Sequence, residues 1–268
     1  MQGFNFPLIS VVIPTHRRAT LLRRAITSVK SQNLSHSVEI IVVSDVVDIG
    51  TDTICANLLS KDDTYVRRSG TPGPSASRNL ALDLARGSFV MFLDDDDAWQ
   101  PNMLSQLLAH PQMKQRLPVY GDCEVINERR TAVPSEILDR RVLALSDRLN
   151  DQIFVKNQVH MSCYVLPREV IGNTRFDTYM RAYEDWEFLV HLYRKIPAQY
   201  VSTLISAVFQ VPDASTDRRG SAPSATGDNA LIDYLYVYRR HPAPDDNLKT
   251  QRAEFLRVLG ISIDSKVL

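Results

Sequence analysis

Residues 88–102 read SFVMFLDDDDAWQPN, an apolar and aromatic run that ends abruptly in four carboxylates, Asp94, Asp95, Asp96 and Asp97. Residues 88–93 suit a strand buried on both faces, the kind that parallel sheets contain. Such a strand delivers its carboxyl-terminal residues to the edge where open α/β sheets bind ligands. Adjacent carboxylates about 4 Å apart repel by roughly 1 kcal/mol in water and by about 4 kcal/mol at an effective dielectric near 20. A divalent cation reverses the sign of that energy. Hard carboxylate oxygens suit Mg2+ or Mn2+, which are commonly held by one or two carboxylates together with substrate phosphates. Alternation along an extended chain places Asp94 and Asp96 on the same side. The stretch therefore predicts a strand end that receives a cation and a diphosphate.

Outward from this strand the pattern is that of an α/β chain. Residues 8–13 and 38–43 are short apolar strands, and between them residues 19–31 carry Leu21, Leu22, Ala25, Ile26 and Val29 at helical spacing. A helix over 51–60, a strand near Tyr65 and an amphipathic helix over 74–86 follow, and together they lead into the acidic strand. Strand and helix alternating in this way predict a mixed, mostly parallel sheet with right-handed crossovers, flanked by helices. Pro101 is placed to open the next helix, which Asp97 is expected to cap, and residues 119–126 read as a further strand. Residues 127–150, rich in arginine and glutamate with a moderately helical pattern, read as an insertion or covering segment. Strands over 160–166 and 200–211 bracket a helix over 184–195, whose Phe188, Leu189, Leu192 and Tyr193 form one stripe. The proline-, glycine- and serine-rich residues 212–229 read as a mobile loop, and helices over 230–240 and 247–259 form a carboxyl-terminal helical extension across 230–268.

Composition narrows the classes. Lysine plus arginine and aspartate plus glutamate each number 31, so no overall basic field attracts nucleic acid. Cys55, Cys123 and Cys163 are odd in number and widely spaced, which fits a reducing compartment and small core residues rather than a disulfide framework or zinc site. The amino terminus lacks the pattern of a secretory signal, and no run of about 18 apolar residues occurs. A cytoplasmic protein is expected, with peripheral association at the inner face of a membrane left open and oligomeric state unread.

Four segments together resemble the family 2 glycosyltransferases, inverting enzymes of the GT-A fold that use nucleotide-diphosphate sugars. VVIPTHRRATLLRRAITSV (residues 11–29) is similar to that family's opening strand and loop. EIIVVSDVVD (39–48) resembles its second strand and acidic base-binding turn. GPSASRNLALDLARGSFVMFLDDDDAW (73–99) resembles the segment leading into its DxD motif, and RAYEDWEF (181–188) its ED motif. The resemblance covers most of residues 8–211 and implies a catalytic domain over 1–211. It implies a metal-dependent inverting glycosyltransferase that moves a sugar, from a UDP-sugar by preference, to a hydroxyl of a saccharide or lipid-linked acceptor in bacterial surface polysaccharide synthesis. The implied cofactor is Mn2+ or Mg2+.

By this resemblance Pro14, Thr15 and Arg17 line the nucleoside pocket, and Asp45 accepts hydrogen bonds from a pyrimidine edge. SDVVD departs from the usual DDGSTD there, lacking the glycine and first aspartate. Arg78, one turn inside a helix, approaches the diphosphate with the fixed donors of a guanidinium. Asp94 and Asp95 neighbour the ribose and diphosphate, and Asp96 is the expected metal ligand. Asp185 is the expected catalytic base. It opens a helix with Glu184 and Trp186, where a carboxylate is favoured for structural reasons also. Glu184, Trp186 and His160 are the acceptor-side candidates, with Trp186 either stacking on a sugar or packing in the core. Two other classes fit parts of the pattern. A phosphohydrolase or nucleotidyltransferase also clusters aspartates around Mg2+, although Ala98 and Trp99 stand where an aspartate-nucleophile phosphatase would want threonine or valine. A catalytically silent nucleotide- or carbohydrate-binding module is the other, since a fold does not fix an activity.

Overall fold

The computed structural model describes residues 7–33, 37–130, 135–212 and 227–268. Strands β1 (Ile9–Thr15) and β2 (Val38–Ser44), rich in valine and isoleucine, are each buried along all seven residues, as suits a sheet covered on both faces. They pair in parallel; β3 (Thr64–Arg67) adds to β2 and β4 (Phe89–Phe92) to β1, again in parallel. The connecting helices are α1 (Ala19–Lys30), α2 (Ile49–Leu58) and α3 (Pro74–Leu84). Helix α1 buries Leu22, Ala25, Ile26 and Val29 on one stripe. Helix α2 starts where the Asp48 carboxylate accepts from Thr51 N–H, and α3 starts with proline in its first turn.

Beyond β4 the pairing becomes mixed. The sheet runs β3-β2-β1-β4-β8-β6-β9-β5, with β5 (Ala98–Trp99), β6 (Val119–Arg129), β8 (Tyr164–Pro167) and β9 (Gln199–Gln210). Strand β8 is antiparallel to both β4 and β6, while β6 and β9 are parallel. At Gly121 the register between β6 and β9 shifts, and a Cβ there would stand 2.4 Å from the Thr203 carbonyl oxygen, so only glycine admits this approach. Helices α4 (Met103–Ala109), α5 (Pro111–Lys114), α6 (Arg168–Ile171) and α7 (Glu184–Lys195) cover this half. Helices α8 (Gly227–Arg240) and α9 (Asp246–Val258) follow. Their Tyr234, Val237, Tyr238, Leu248 and Leu256 belong to the same hydrophobic cluster as Phe92, Trp186 and Phe188.

Two expectations are corrected. Among the described residues of 127–150 there is no helix: β6 continues to Arg129, and β7 (Glu136–Leu143) pairs antiparallel with it. Seven of the eight β7 residues are exposed, so the strand has no buried face to impose a two-residue period on its sequence, and its state is set by pairing alone. Asp97 does not cap the helix after Pro101, because its Oδ1 accepts from Phe209 N–H of β9 at 3.0 Å. Residues 213–226 of the anticipated mobile loop lie outside the described residues. Among the described residues no helix is long and apolar enough to cross a membrane.

Candidate active site

The carboxyl ends of β1, β2 and β4 converge on one edge, as adjacent parallel strands must. Thr15, at the end of β1, is fully buried and donates its hydroxyl to Asp95 Oδ2 at 2.8 Å. The next residue, His16, places a ring nitrogen 2.5 Å from Asp45 Oδ1, whose other oxygen accepts from Gly73 N–H at 2.8 Å. Asp45 thus ties β1, β2 and the turn into α3 together, and its side chain is only 1% exposed. Arg17 stands in the left-handed region with φ 53°, exposed at the mouth of the same turn. Holding a non-glycine residue there costs on the order of 1 kcal/mol, and such conformations cluster at functional sites.

The four aspartates fan out to different partners. Asp94 accepts from Arg78 at 2.9 Å, and the same guanidinium donates to Glu184 at 2.9 Å. Arg78 is buried, and although burial alone would weaken its charge, Asp94, Glu184 and Asp185 together hold it protonated. Asp95 and Asp96 share Arg18, at 3.3 and 3.2 Å. Asp96 also meets Arg130 at 3.4 Å, while its carbonyl accepts from Arg24. Arg24 and Arg130 are in turn oriented by buried Glu128 at 2.8 and 2.7 Å. Burial pushes the Glu128 carboxyl up, but bonds from Arg24, Ser135 and Arg130 outweigh it and hold it down at about 2.

Asp97 is different. One oxygen is satisfied by Phe209, while Oδ2 is buried and has no hydrogen-bond partner among the described residues. Burial, reinforced by Asp96 and Asp94, pushes its carboxyl well above the usual range. Burial and the neighbouring Asp94 and Asp95 also raise Asp96, against Arg18 and Arg130. His160 lies 3.8 Å from that Oδ2, and ligand atoms of Asp94, Asp97 and His160 lie within 4.8 Å of one another. Asp94, Asp96, Asp97, Asn127, Arg130 and His160, with residues 208–212, line a cavity of about 480 Å³.

The ED segment comes to the same place. Tyr183, left-handed at φ 60°, turns the chain into α7, so Glu184 and Asp185 stand at that helix's amino terminus. Burial raises the Glu184 carboxyl, with Asp185 adding to the effect and Arg78 opposing it. Asp185 is half-buried and accepts from Trp186 N–H at 2.7 Å. Trp186 is 1% exposed, packs on Tyr183, Tyr234 and Tyr238, and donates its indole N–H to Ile153 O, which settles it as a core residue rather than a sugar platform.

The structure thus brings Thr15, Asp45, Arg78, Asp94, Asp95, Asp96, His160, Glu184 and Asp185 to one edge. Pro14 and Thr15 are buried within β1, so Thr15 acts on the site through Asp95. Sequence reasoning missed His16, Arg18, Arg24, Glu128 and Arg130. Arg18 and Arg24 sit in the RRATLLRR stretch inside the first motif, a signal that was present. Glu128 and Arg130 lie outside every motif and enter only because β6 runs past the aspartates.

Comparison with known proteins fits this geometry. The model of the family described as Glycosyl transferase family 2 matches residues 10–163, more than half of the chain. The GalNAc(5)-diNAcBac-PP-undecaprenol beta-1,3-glucosyltransferase of Campylobacter jejuni is 35% identical over 125 residues, covering 46% of this chain and 40% of that protein. TarP of Staphylococcus aureus, a poly(ribitol-phosphate) beta-N-acetylglucosaminyltransferase, is 24% identical over 238 residues, covering 86% of this chain and 71% of that protein. The crystal structure of S. aureus TarS 1-349 with UDP-GlcNAc superimposes with a TM-score of 0.68 at 17% identity, over 95% of this chain and 73% of that one, and so shares the GT-A fold. With an edge of clustered carboxylates facing an ED helix, on this fold and with this match, the chain belongs to glycosyl transferase family 2 and is a glycosyltransferase.

Proposed function

We propose that this glycosyltransferase moves a sugar from a UDP-sugar to a hydroxyl of a saccharide or lipid-linked acceptor, inverting the anomeric carbon, in the assembly of a bacterial surface polysaccharide. The observation that carries the reading is the Arg78 guanidinium, which spans Asp94 of the acidic edge and Glu184 beside Asp185, so that donor and base groups form one site. The TarS complex with UDP-GlcNAc supports the choice of a UDP-sugar, and the names of the Campylobacter and Staphylococcus relatives support the acceptor class.

A divalent cation, Mn2+ or Mg2+, fits the residues present. The acidic edge offers an orphaned, buried carboxylate oxygen on Asp97 and carboxyls on Asp96 and Asp97 that burial, and then the neighbouring carboxylates, push up. Asp94, Asp96 and Asp97 are the carboxylates from which its ligands come. Bound there, the cation offsets the charge that grows on the departing diphosphate. The chain's own residues do the rest. Arg78, Arg18 and Arg130 bring fixed positive charge to the diphosphate side, where preorganised donors act without reorganising. Arg17 and Asp45 form the nucleoside end, supported from within β1 by buried Pro14 and Thr15, with Asp95 held by Thr15 and Arg18 toward the ribose. An Asp185 oxygen takes the proton of the acceptor hydroxyl. As that proton leaves, the acceptor oxygen bonds to the anomeric carbon from the face opposite the diphosphate, and the bond from carbon to phosphate oxygen breaks to release UDP. One carboxylate suffices, because inversion requires no covalent intermediate. His160 and Glu184 border the region where the sugar sits.

The test is a thermal-shift series with UDP, GDP and dTDP, each with and without Mn2+, followed by UDP release from UDP-sugars in the presence of chelator. Ligand at 100 times its Kd stabilises the folded state by about 2.7 kcal/mol, an effect visible as a rise in Tm. A Mn2+-dependent shift with UDP is expected. A shift with GDP alone, or turnover unaffected by chelator, overturns the nucleotide or the metal part.

A further inference from the structure

The carboxylate read as the general base has little of its own to hold it. Among the described residues Asp185 accepts one hydrogen bond, from the N–H of Trp186 next to it in the chain. Its direction therefore depends on the turn that precedes it. That turn is strained, since Tyr183 stands at φ 60° and no side chain caps α7. Helix α8 supplies what the turn lacks. Asp233 Oδ2 accepts from the N–H of Arg181 at 3.1 Å and from that of Ala182 at 2.8 Å, and successive backbone N–H groups are a known cradle for an anion. The ring of Tyr234, next along α8, packs on Tyr183 with centroids 4.3 Å apart. Asp233 lies on the buried face of α8 with Tyr234, Val237 and Tyr238, and is only 9% exposed. A carboxylate is tolerated there when hydrogen bonds to its charged form offset the loss of water. Among the described residues its only hydrogen-bond partners are those two N–H groups of the turn.

We propose that Asp233 is a positioning residue for the base: by binding the N–H groups of Arg181 and Ala182 it fixes the turn at Tyr183 and so aims Asp185 at the acceptor hydroxyl. The inference rests on the reading of Asp185 as the base and extends the site to a helix that carries none of its motifs. Asp233 acts through backbone, so the identity of its partners' side chains is immaterial, and an oxygen at the place of Oδ2 is what the turn requires. A reacting group displaced by about 1 Å costs on the order of 10²-fold in rate. Asp233 touches no residue of the nucleotide end, so its loss falls on kcat and leaves UDP binding as it is.

The test compares full-length wild type, Asp233→Ala and Asp233→Asn. Asparagine keeps an oxygen acceptor where alanine removes it. Release of UDP from UDP-GlcNAc with Mn2+ present gives kcat and KM, a thermal-shift titration gives the Kd of UDP, and amide hydrogen exchange follows the turn. Asp233→Ala is expected to lower kcat about 10- to 100-fold with the Kd of UDP unchanged, and to lose protection at Arg181 and Ala182. Asp233→Asn should recover both. Tyr238→Phe, which loosens α8 by removing a hydrogen bond to the Val155 carbonyl and leaves the turn alone, should keep kcat. Equal losses in Asp233→Ala and Tyr238→Phe mark a merely structural role and overturn the assignment. So does unchanged kcat in Asp233→Ala alongside a loss in Asp185→Asn, which would leave the base standing without this support. Rapid exchange of both amides in wild type overturns it before any variant is made. If wild type releases no UDP from UDP-GlcNAc, the donor reading falls separately, and a crystal structure of Asp233→Ala decides: an unmoved Asp185 carboxylate refutes the positioning role, and a displaced one upholds it.

Discussion

Replacing Arg78 by methionine, which keeps the length of the side chain and removes its charge, isolates the bridge between the two acidic segments. Removing one partner of a fully buried ion pair costs about 3–5 kcal/mol, because the other charge is left buried and unpaired, whereas exposed pairs are worth about 0–1 kcal/mol. The Asp94 side chain is 33% exposed, so water compensates most of its half, while Glu184 at 13% is close to the buried case. The expected loss is therefore about 2–4 kcal/mol at neutral pH, dominated by Glu184. A pH signature separates this from lost packing. The Glu184 carboxyl is already raised above 4.5 by burial, and Arg78 is the group that opposes the rise, so Arg78→Met raises it further. A carboxyl raised in the folded state contributes stability at low pH that is lost as pH climbs through its folded value. The deficit of the variant should therefore be largest near pH 8 and shrink toward pH 5. Urea denaturation of wild type and variant at several pH values measures it. A deficit below about 1 kcal/mol, or one that does not change with pH, would refute the claim that Arg78 neutralises a buried Glu184.

Other outcomes follow from the same geometry. Asp185→Asn should bind UDP as wild type does while transfer falls by about 10² to 10⁴, in line with loss of a general base; undiminished transfer removes Asp185 from that role. Glu128→Gln should lower stability at pH 7 by up to about 3 kcal/mol, because the native carboxyl is held near 2 against an ordinary 4.5. A depressed carboxyl contributes its stability above 4.5 and loses it as pH falls toward 2, so the two proteins should converge in acid. Arg252 is fully buried and donates to the carbonyls of Phe154, Tyr238, His241 and Leu268, so Arg252→Met strands four acceptors. A loss of about 2–4 kcal/mol in urea, with UDP affinity unchanged, is the expected result.

The sequence by itself determined the parallel half of the sheet, because strands buried on both faces are mostly apolar and helices that cover them must carry a stripe. Residues 9–15, 38–44 and 89–92 follow the first rule, with buried Glu39 satisfied by Ser10 and Arg86, and α1 and α7 obey the second. It also determined which carboxylates gather at the edge, since parallel strands all deliver their carboxyl ends to one side. Tertiary structure alone decided what each carboxylate faces. Asp94 to Asp97 are equivalent in a string of letters, yet one meets Arg78, two share Arg18, and the last turns to Phe209 and His160, because the turn beyond β4, closed by Asp97 N–H on the Asp94 carbonyl, and the neighbouring β9 direct them apart. Glu128 and Arg130 join the site through the pairing of β6, and β7 exists only through that pairing, since an exposed strand imposes no pattern on its own residues. A sequence records which side chains a fold must bury; which charges meet depends on distances between segments far apart along the chain, and those are fixed only when the chain has packed.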